Sequence, residues 1–483
     1  MNSQAAVKTD TDSLINALRK HAPRCVIDSS LETRKARAHD RWPIAAKWSE
    51  EEMNNHTPLA VVRVGSARDV SQVLTFAGAH HIPVVPFGAG SGVVGGVVNQ
   101  RGYLCIDLSG LNGKPELDAE NGEVTVPSGV LGGDLEKILN EAGRRLPHYP
   151  QSLALASIGG LVATRSSGTF SSKYGNIENF VTSLEVVLPD GAIIHTQRSP
   201  RSSTGPSVAQ MFVGSEGTLG IITAVTLRTL PLATSQLFRG VAFEGVGPGL
   251  NAVRQVLDSG LMPAVIRLYD EKEAVHIFEK SGIEPAHRTL LVLAFDGNPA
   301  VAAAEQAESL KITAALGGED LGSTPGEIWE KTRYDAGWLD RGNAGEFDFA
   351  DAIEIAAGWH TLEALHDKVL NAISPYADNA FAHYSHFYSN GGAIYFIFFI
   401  VGKNKQDAES RFNQVWDITM RTVLEHGGSI SHHHGVGEAR KHWMVREHGD
   451  SLRVLAKLKQ ALDPRAILSP GKMGFDEQPE AGK

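Results

Sequence analysis

The chain of 483 residues carries a net charge of −10, a hydrophobic fraction of 42% and a charged fraction of 21%. These are the proportions of a soluble globular enzyme of roughly two to four domains, and the acidic balance excludes a general nucleic-acid surface, which needs a basic face. No apolar run approaches the roughly 20 residues that cross a bilayer, the N-terminus lacks a basic-then-apolar signal, and the two cysteines, Cys25 and Cys105, sit in no CxxC, which suits a reducing cytoplasm.

In chain order, residues 11–22 are predicted to form a short helix with Thr11 or Asp12 as cap and Leu14, Ile15 and Leu18 as its apolar stripe. Residues 34–48 are irregular and expected to pack as an arm on the first domain. A strand at 59–64, a helix at 66–79 with Val70, Val73, Leu74 and Ala77 apolar, and a second strand lead into the loop PFGAGSGVVGG. This βαβ order places the loop at a carboxyl strand end, where α/β sheets bind ligands. Glycines at that density let backbone N–H groups converge on a phosphate. The loop is not a Rossmann fingerprint, because VVGGVV and then another strand follow it instead of a helix. By itself it is equally compatible with a ligand-free glycine hairpin.

Strands are expected at 103–108 and 123–126, and a helix at about 131–143. Residues 149–180 are rich in serine, threonine and glycine, and Arg165 is their only charge before Lys173. Such a stretch could wrap a flat, polar-edged ring, or be a helix start and a serine loop. Strands at 184–188 and 192–196 form a hairpin across Pro189-Asp190-Gly191. A third glycine loop, within 211–231, again runs into a strand. From about Ala233 to about Leu424, strands at 264–269, 290–295 and 393–401 alternate with helices at 250–259, 302–316, 362–373 and 408–424. The organisation expected is an arm over 1–55, a first domain over 56–233, an α+β second domain over 234–425 and a C-terminal segment over 426–483.

Ser431-His432-His433-His434-Gly435 is the most unusual string. If extended, it turns His432 and His434 to one face and His433 to the other. Imidazoles can exchange a proton near neutral pH, bind a metal, or form a satisfied structural loop. His383 and His386 add to the metal reading, but no carboxylate at a recognisable spacing completes a ligand set. Arg267, inside an apolar strand, must find an anion, either a ligand or an internal partner. The same holds for Arg341. Tyr395 in GGAIYFIFF carries no local mark of catalysis.

Together PFGAGSG, QSLALAS with TRSS, EGTLGII and SHHHGVG resemble FAD-binding flavoenzymes of the vanillyl-alcohol oxidase (PCMH) type. Within that family the strings look most like the alkyldihydroxyacetonephosphate synthases, and next like the D-lactate and glycolate dehydrogenases. The resemblance implies an α+β fold: a two-part FAD-binding domain, a cap domain and a C-terminal segment returning to the flavin. It places Pro86, Phe87, Gly88, Ala89, Gly90, Ser91 and Gly92 at the pyrophosphate. Gln151, Ser152, Ser157 and Gly160, with Thr164, Arg165, Ser166 and Ser167, fall at the flavin. Glu216, Gly217, Thr218, Leu219, Gly220, Ile221 and Ile222 fall at the adenine and ring edges. No His or Cys stands where covalently flavinylated relatives carry their attachment residue, so FAD is expected to be non-covalent.

Active-site residues of the synthases find matches in His148, Arg267, Tyr395, His432, His433 and His434, and their substrate-binding arginine in Arg341. There are departures. Gln151 replaces an active-site aspartate, and the chain between His276 and Leu290 lacks a helical hairpin that lies beside the lipid tunnel. DPRAILSPGKMGF and IWEKTR look like the dehydrogenase branch. That branch's Glu-His-Gly is His433-His434-Gly435 here, and of its paired metal histidines His386 fits one while Ala393 falls at the other. A metal at His386 and His433 is therefore not favoured.

The expected activity is FAD-dependent oxidation of a small anionic D-2-hydroxy acid, with the electron acceptor unnamed and the chain monomeric or a homodimer. The alternative is ether-lipid synthesis. A non-catalytic flavin-binding module would leave the polar cluster of the second domain without a purpose.

Overall fold

The computed structural model describes residues 2–100, 102–284, 287–334 and 346–475. A first sheet orders strands Val26–Asp28, Ala60–Arg63, Leu104–Asp107 and Val84–Phe87. The last three are parallel. Helix Ala67–His80 makes the crossover: the Ser66 side chain accepts from Asp69 N–H at its start, and His81 at φ +52° stops it. Its Val70, Val73, Leu74 and Ala77 are buried in this sheet's core. The glycine loop thus leaves the carboxyl end of Val84–Phe87, as the βαβ pattern predicts.

The second sheet is antiparallel, in the order Glu116–Asp118, Glu123–Pro127, Ile221–Arg228, Val181–Val187, Ile193–His195. Between Glu123–Pro127 and Val181–Val187 the chain forms helix Gly132–Glu141 and three short helices, Ile158–Ala163, Ser171–Tyr174 and Ile177–Phe180.

The third sheet has seven strands, in the order Glu319–Asp320, Ser235–Phe243, Thr289–Gly297, Val265–Tyr269, Asn379–Tyr388, Gly391–Ile400, Phe349–Gly358. One face is the largest core: Ile266, Leu268, Ile353, Ile355, Tyr384, Ile394 and Phe396 pack there with Leu362, Leu365, Phe412 and Val415 from helices Trp359–Ile373 and Lys405–Glu425. The other face carries the chemistry.

After helix Leu452–Leu462 the chain returns to the first sheet, where Leu468 bridges Val84 in parallel and Ser469 N–H donates to Val84 O at 2.8 Å. Among the described residues, no helix is long and apolar enough to cross a membrane.

One expectation changes. The first helix runs Asn2–His21, because the helix-forming segment SQAAVK carries it through Thr11 and Asp12, which therefore do not cap it. The irregular arm is flanked by helices Leu31–Lys35 and Glu50–His56, started by Ser30 and Ser49, whose hydroxyls accept from Thr33 and Glu52 N–H.

Candidate active site

Three strings far apart in sequence close on one another. An added Cβ on Gly88 would lie 2.5 Å from Ser157 Oγ, and one on Gly217, at φ +72°, would lie 2.3 Å from Pro86 Cγ. Only glycine permits these approaches. Glu216 N–H donates to Ala163 O at 2.9 Å, and Ser157 accepts from Gly160 N–H at the start of helix Ile158–Ala163. Among the described residues, no backbone N–H from Gly88 to Gly92 has a protein acceptor. That run of free donors borders a cleft of about 340 Å³ lined by Arg37, His39 and Arg41. Free N–H groups beside two guanidinium side chains fit the pyrophosphate of a dinucleotide.

Strand register builds the second half. Tyr395 lies opposite Glu354 on one side and His383 on the other, and His383 lies opposite Tyr269. Directly opposed residues share a face, so these four and Arg267, two residues from Tyr269, form a row. Arg267 Nη2 is 2.8 Å from His383 Nε2, and His383 Nδ1 is 2.7 Å from Glu273 Oε2. A guanidinium only donates, so His383 accepts at Nε2 and carries its proton at Nδ1 toward the carboxylate. Arg267 touches no carboxylate among the described residues, and its buried Nε has no partner there.

The histidine string does not alternate as an extended strand would. His432, His433 and His434 all direct their backbone N–H groups at the Glu354 carboxylate, the last at 2.8 Å, and Ser431 Oγ donates to it at 2.9 Å. Converging on one buried carboxylate curls the loop and gathers the rings on one side. Their centroids are 5.2 Å (His432–His433) and 4.5 Å (His433–His434) apart. Arg440, fully buried, donates to Glu354 Oε1 at 3.2 Å and to Ile430 O at 2.7 Å. Glu216 receives Val436 N–H at 2.6 Å and Gly437 N–H at 3.0 Å, tying the glycine string to the histidine loop.

Tyr395 Oη stands 2.8 Å from His386 Nε2 and 3.2 Å from His433 Nε2. Burial lowers His432 and His434 to about 4, and His433 and His386 well below the ordinary imidazole range. The cluster is neutral at pH 7, so each ring can accept a hydrogen bond at one nitrogen and donate from the other.

His148 is fully buried with Nε2 2.8 Å from Ser166 Oγ, and burial pushes its imidazole down to about 3. Ser167 Oγ donates to Asn176 at 2.7 Å. Gln151 and Arg165 are exposed, the latter 3.4 Å from Glu178. Leu219, Ile221 and Ile222 put their side chains into the cores of the first two sheets. Arg341 lies outside the described residues. Glu354, Arg440, Glu273 and Tyr388 were not picked out from the sequence, where each is an ordinary strand or helix residue. The one available signal was Glu354 between Ile353 and Ile355, a charge at an apolar position.

His386, His432 and His433 offer nitrogens within 4.8 Å of one another, a set that could hold a metal ion. The contacting nitrogens are already engaged: His386 by Ser171 and Tyr395, His432 by Tyr388 and His433, His433 by Tyr395. A metal would have to displace these bonds.

Residues 58–197 match the FAD binding domain model, and residues 234–473 match that of the FAD linked oxidases, C-terminal domain. The chain is 33% identical over 437 residues to the uncharacterized FAD-linked oxidoreductase YgcU of Escherichia coli O157:H7, covering 86% of this chain and 88% of the relative. It is 30% identical to the alkyldihydroxyacetonephosphate synthase of Trypanosoma brucei brucei (87% and 74% covered) and 29% to the probable mitochondrial D-lactate dehydrogenase of Danio rerio (86% and 84%). Among solved structures, an alkyldihydroxyacetonephosphate synthase superimposes with a TM-score of 0.77 at 23% identity, covering 92% of this chain and 83% of the other. A p-cresol methylhydroxylase with substrate bound gives 0.74 at 15% identity, covering 96% of each.

Proposed function

The chain belongs to the FAD-linked oxidases, with FAD as cofactor, and from that premise we propose that it oxidises a small D-2-hydroxy acid. The observation that carries this reading is Arg267: a guanidinium that touches no carboxylate among the described residues, in one row with Tyr395 and beside neutral imidazoles. A planar fork of donors suits a substrate carboxylate. Arg341 is the second candidate for that anion.

Pro86 to Gly92, Ser157 to Ser167 and Glu216 to Gly220 would hold the cofactor without a covalent bond. FAD held there would supply the two-electron acceptor for the substrate's α-hydrogen. Arg267 orients the carboxylate. Tyr395 Oη accepts the proton of the substrate hydroxyl and passes its own proton to His433 Nε2, 3.2 Å away. His383, fixed by Glu273, keeps Arg267 in place.

Anaerobic mixing of the FAD-loaded protein with a panel of D- and L-2-hydroxy acids tests the reading. Bleaching by at least one D-acid is expected; a yellow protein that no acid bleaches overturns it. A second reading, exchange of an acyl chain for a fatty alcohol on a phosphorylated ketone, is favoured by the SHHHGVG string and the likeness to the trypanosomal synthase. Incorporation of labelled hexadecanol in place of bleaching would select it.

A further inference from the structure

We propose that the hydrogen-bonded chain from Tyr395 through His433 and His432 to Tyr388 is a proton relay, which carries the substrate's hydroxyl proton to the protein surface. The direction of use rests on the oxidation proposed above; the relay itself rests on geometry.

The links are continuous. Tyr395 Oη to His433 Nε2 is 3.2 Å, His433 Nδ1 to His432 Nδ1 is 3.0 Å, and His432 Nε2 to Tyr388 Oη is 2.7 Å. Tyr388 Oη then stands 3.2 Å from Asn176 Oδ1 and 3.0 Å from Asn176 Nδ2. Each imidazole is entered at one nitrogen and left at the other, as a relay requires.

Every link works in both directions. With Tyr395 donating to His433 Nε2, His433 donates from Nδ1, His432 donates from Nε2, and Tyr388 donates to Asn176 Oδ1. In the opposite polarity Asn176 Nδ2 donates to Tyr388, and each later donor becomes an acceptor. Phenols and neutral imidazoles can take either part; an arginine, a lysine or a carboxylate in the line would lock it. No such residue interrupts it, and burial keeps both rings neutral.

A side branch joins the same exit. His386 links Tyr395 at 2.8 Å to Ser171 at 2.7 Å, and Ser171 also acts on the Tyr388 phenol. His386 and Ser171 are buried, and Tyr388 is less deeply enclosed than Tyr395, His433 and His432, which puts the outlet at Tyr388. One proton enters at Tyr395 Oη and one leaves Tyr388 Oη for water. Each step between breaks one O–H or N–H bond and forms the next, and no electron moves along the chain.

The test uses FAD-loaded protein with ¹⁵N-labelled histidine. Replacement of the His433 ring proton by deuterium is followed in the parent, in Tyr388→Phe and in Tyr388→Gln, whose amide can hydrogen-bond but passes no proton. Exchange at least tenfold slower in a folded variant is expected; exchange at the parental rate overturns the relay. With an acid that bleaches the flavin, an indicator dye should report proton release together with bleaching in the parent and at least tenfold later in the variant. Coincident release in the variant also overturns it. If no acid bleaches the parent, the oxidation reading falls and the exchange experiment alone decides the relay.

Discussion

Arg440 Nη2 stands 3.2 Å from Glu354 Oε1, and neither side chain is exposed to solvent. The pair lies beneath the histidine loop, so one carboxylate serves both as counter-ion to Arg440 and as acceptor for three consecutive N–H groups. Removing one member of a buried pair strands the other, at a cost of roughly 3–5 kcal/mol. Arg440→Met should therefore lower stability by about that amount in urea unfolding. A loss below about 1 kcal/mol, the scale of an exposed pair, would show that Glu354 does not depend on it.

Arg267 is expected to hold substrate through its carboxylate. Charge-assisted hydrogen bonds contribute roughly 1.5–3 kcal/mol, so Arg267→Met should weaken binding of a 2-oxo acid product about ten- to hundredfold. Titration of the flavin absorption spectrum with that product measures it. Unchanged affinity would assign the carboxylate to another residue.

The buried histidines make stability depend on pH with a definite sign. His434 has its folded value lowered to about 4 by burial, while an unfolded histidine titrates near its ordinary 6.5. Its contribution is complete above about pH 6.5 and is lost as pH falls from there toward about 4, because the unfolded chain binds the proton first. Asp40 and Asp351, pushed up to about 6 by burial, act in the opposite sense: their contribution is lost as pH rises through that value. Those two are common to parent and variant and cancel in a difference. The stability gap between the parent and His434→Asn should shrink by up to about 3 kcal/mol between pH 7 and pH 4.5. A gap independent of pH would mean that His434 titrates alike in the folded and the unfolded chain.

Gly88 packs so closely on Ser157 that an added methyl group displaces either the Ser157 hydroxyl, which caps helix Ile158–Ala163, or the glycine loop. Gly88→Ala should leave the fold intact, since the loop side of the cleft is open, and weaken FAD retention at least tenfold. The ratio of flavin to protein absorbance after gel filtration reads this directly. Full retention would place the pyrophosphate elsewhere.

Much of this protein is written locally. Turns, caps and strand alternation are properties of adjacent residues, so the βαβ order, the helix begun by Ser66 and the buried strand around Phe396 were legible from the chain. The glycine strings were legible too, because no other residue allows such backbone approach, and with them the FAD family. The site's electrostatics were not. Glu354 reads as a stray charge in an apolar strand until register sets it opposite Tyr395 and the histidine loop folds over it. The loop curls, instead of alternating, because a buried carboxylate must be satisfied, and its donors come from a segment about eighty residues later. Composition and spacing determine which groups are available; burial and the meeting of distant segments decide which of them are neutral, which are paired, and which are left to bind a substrate.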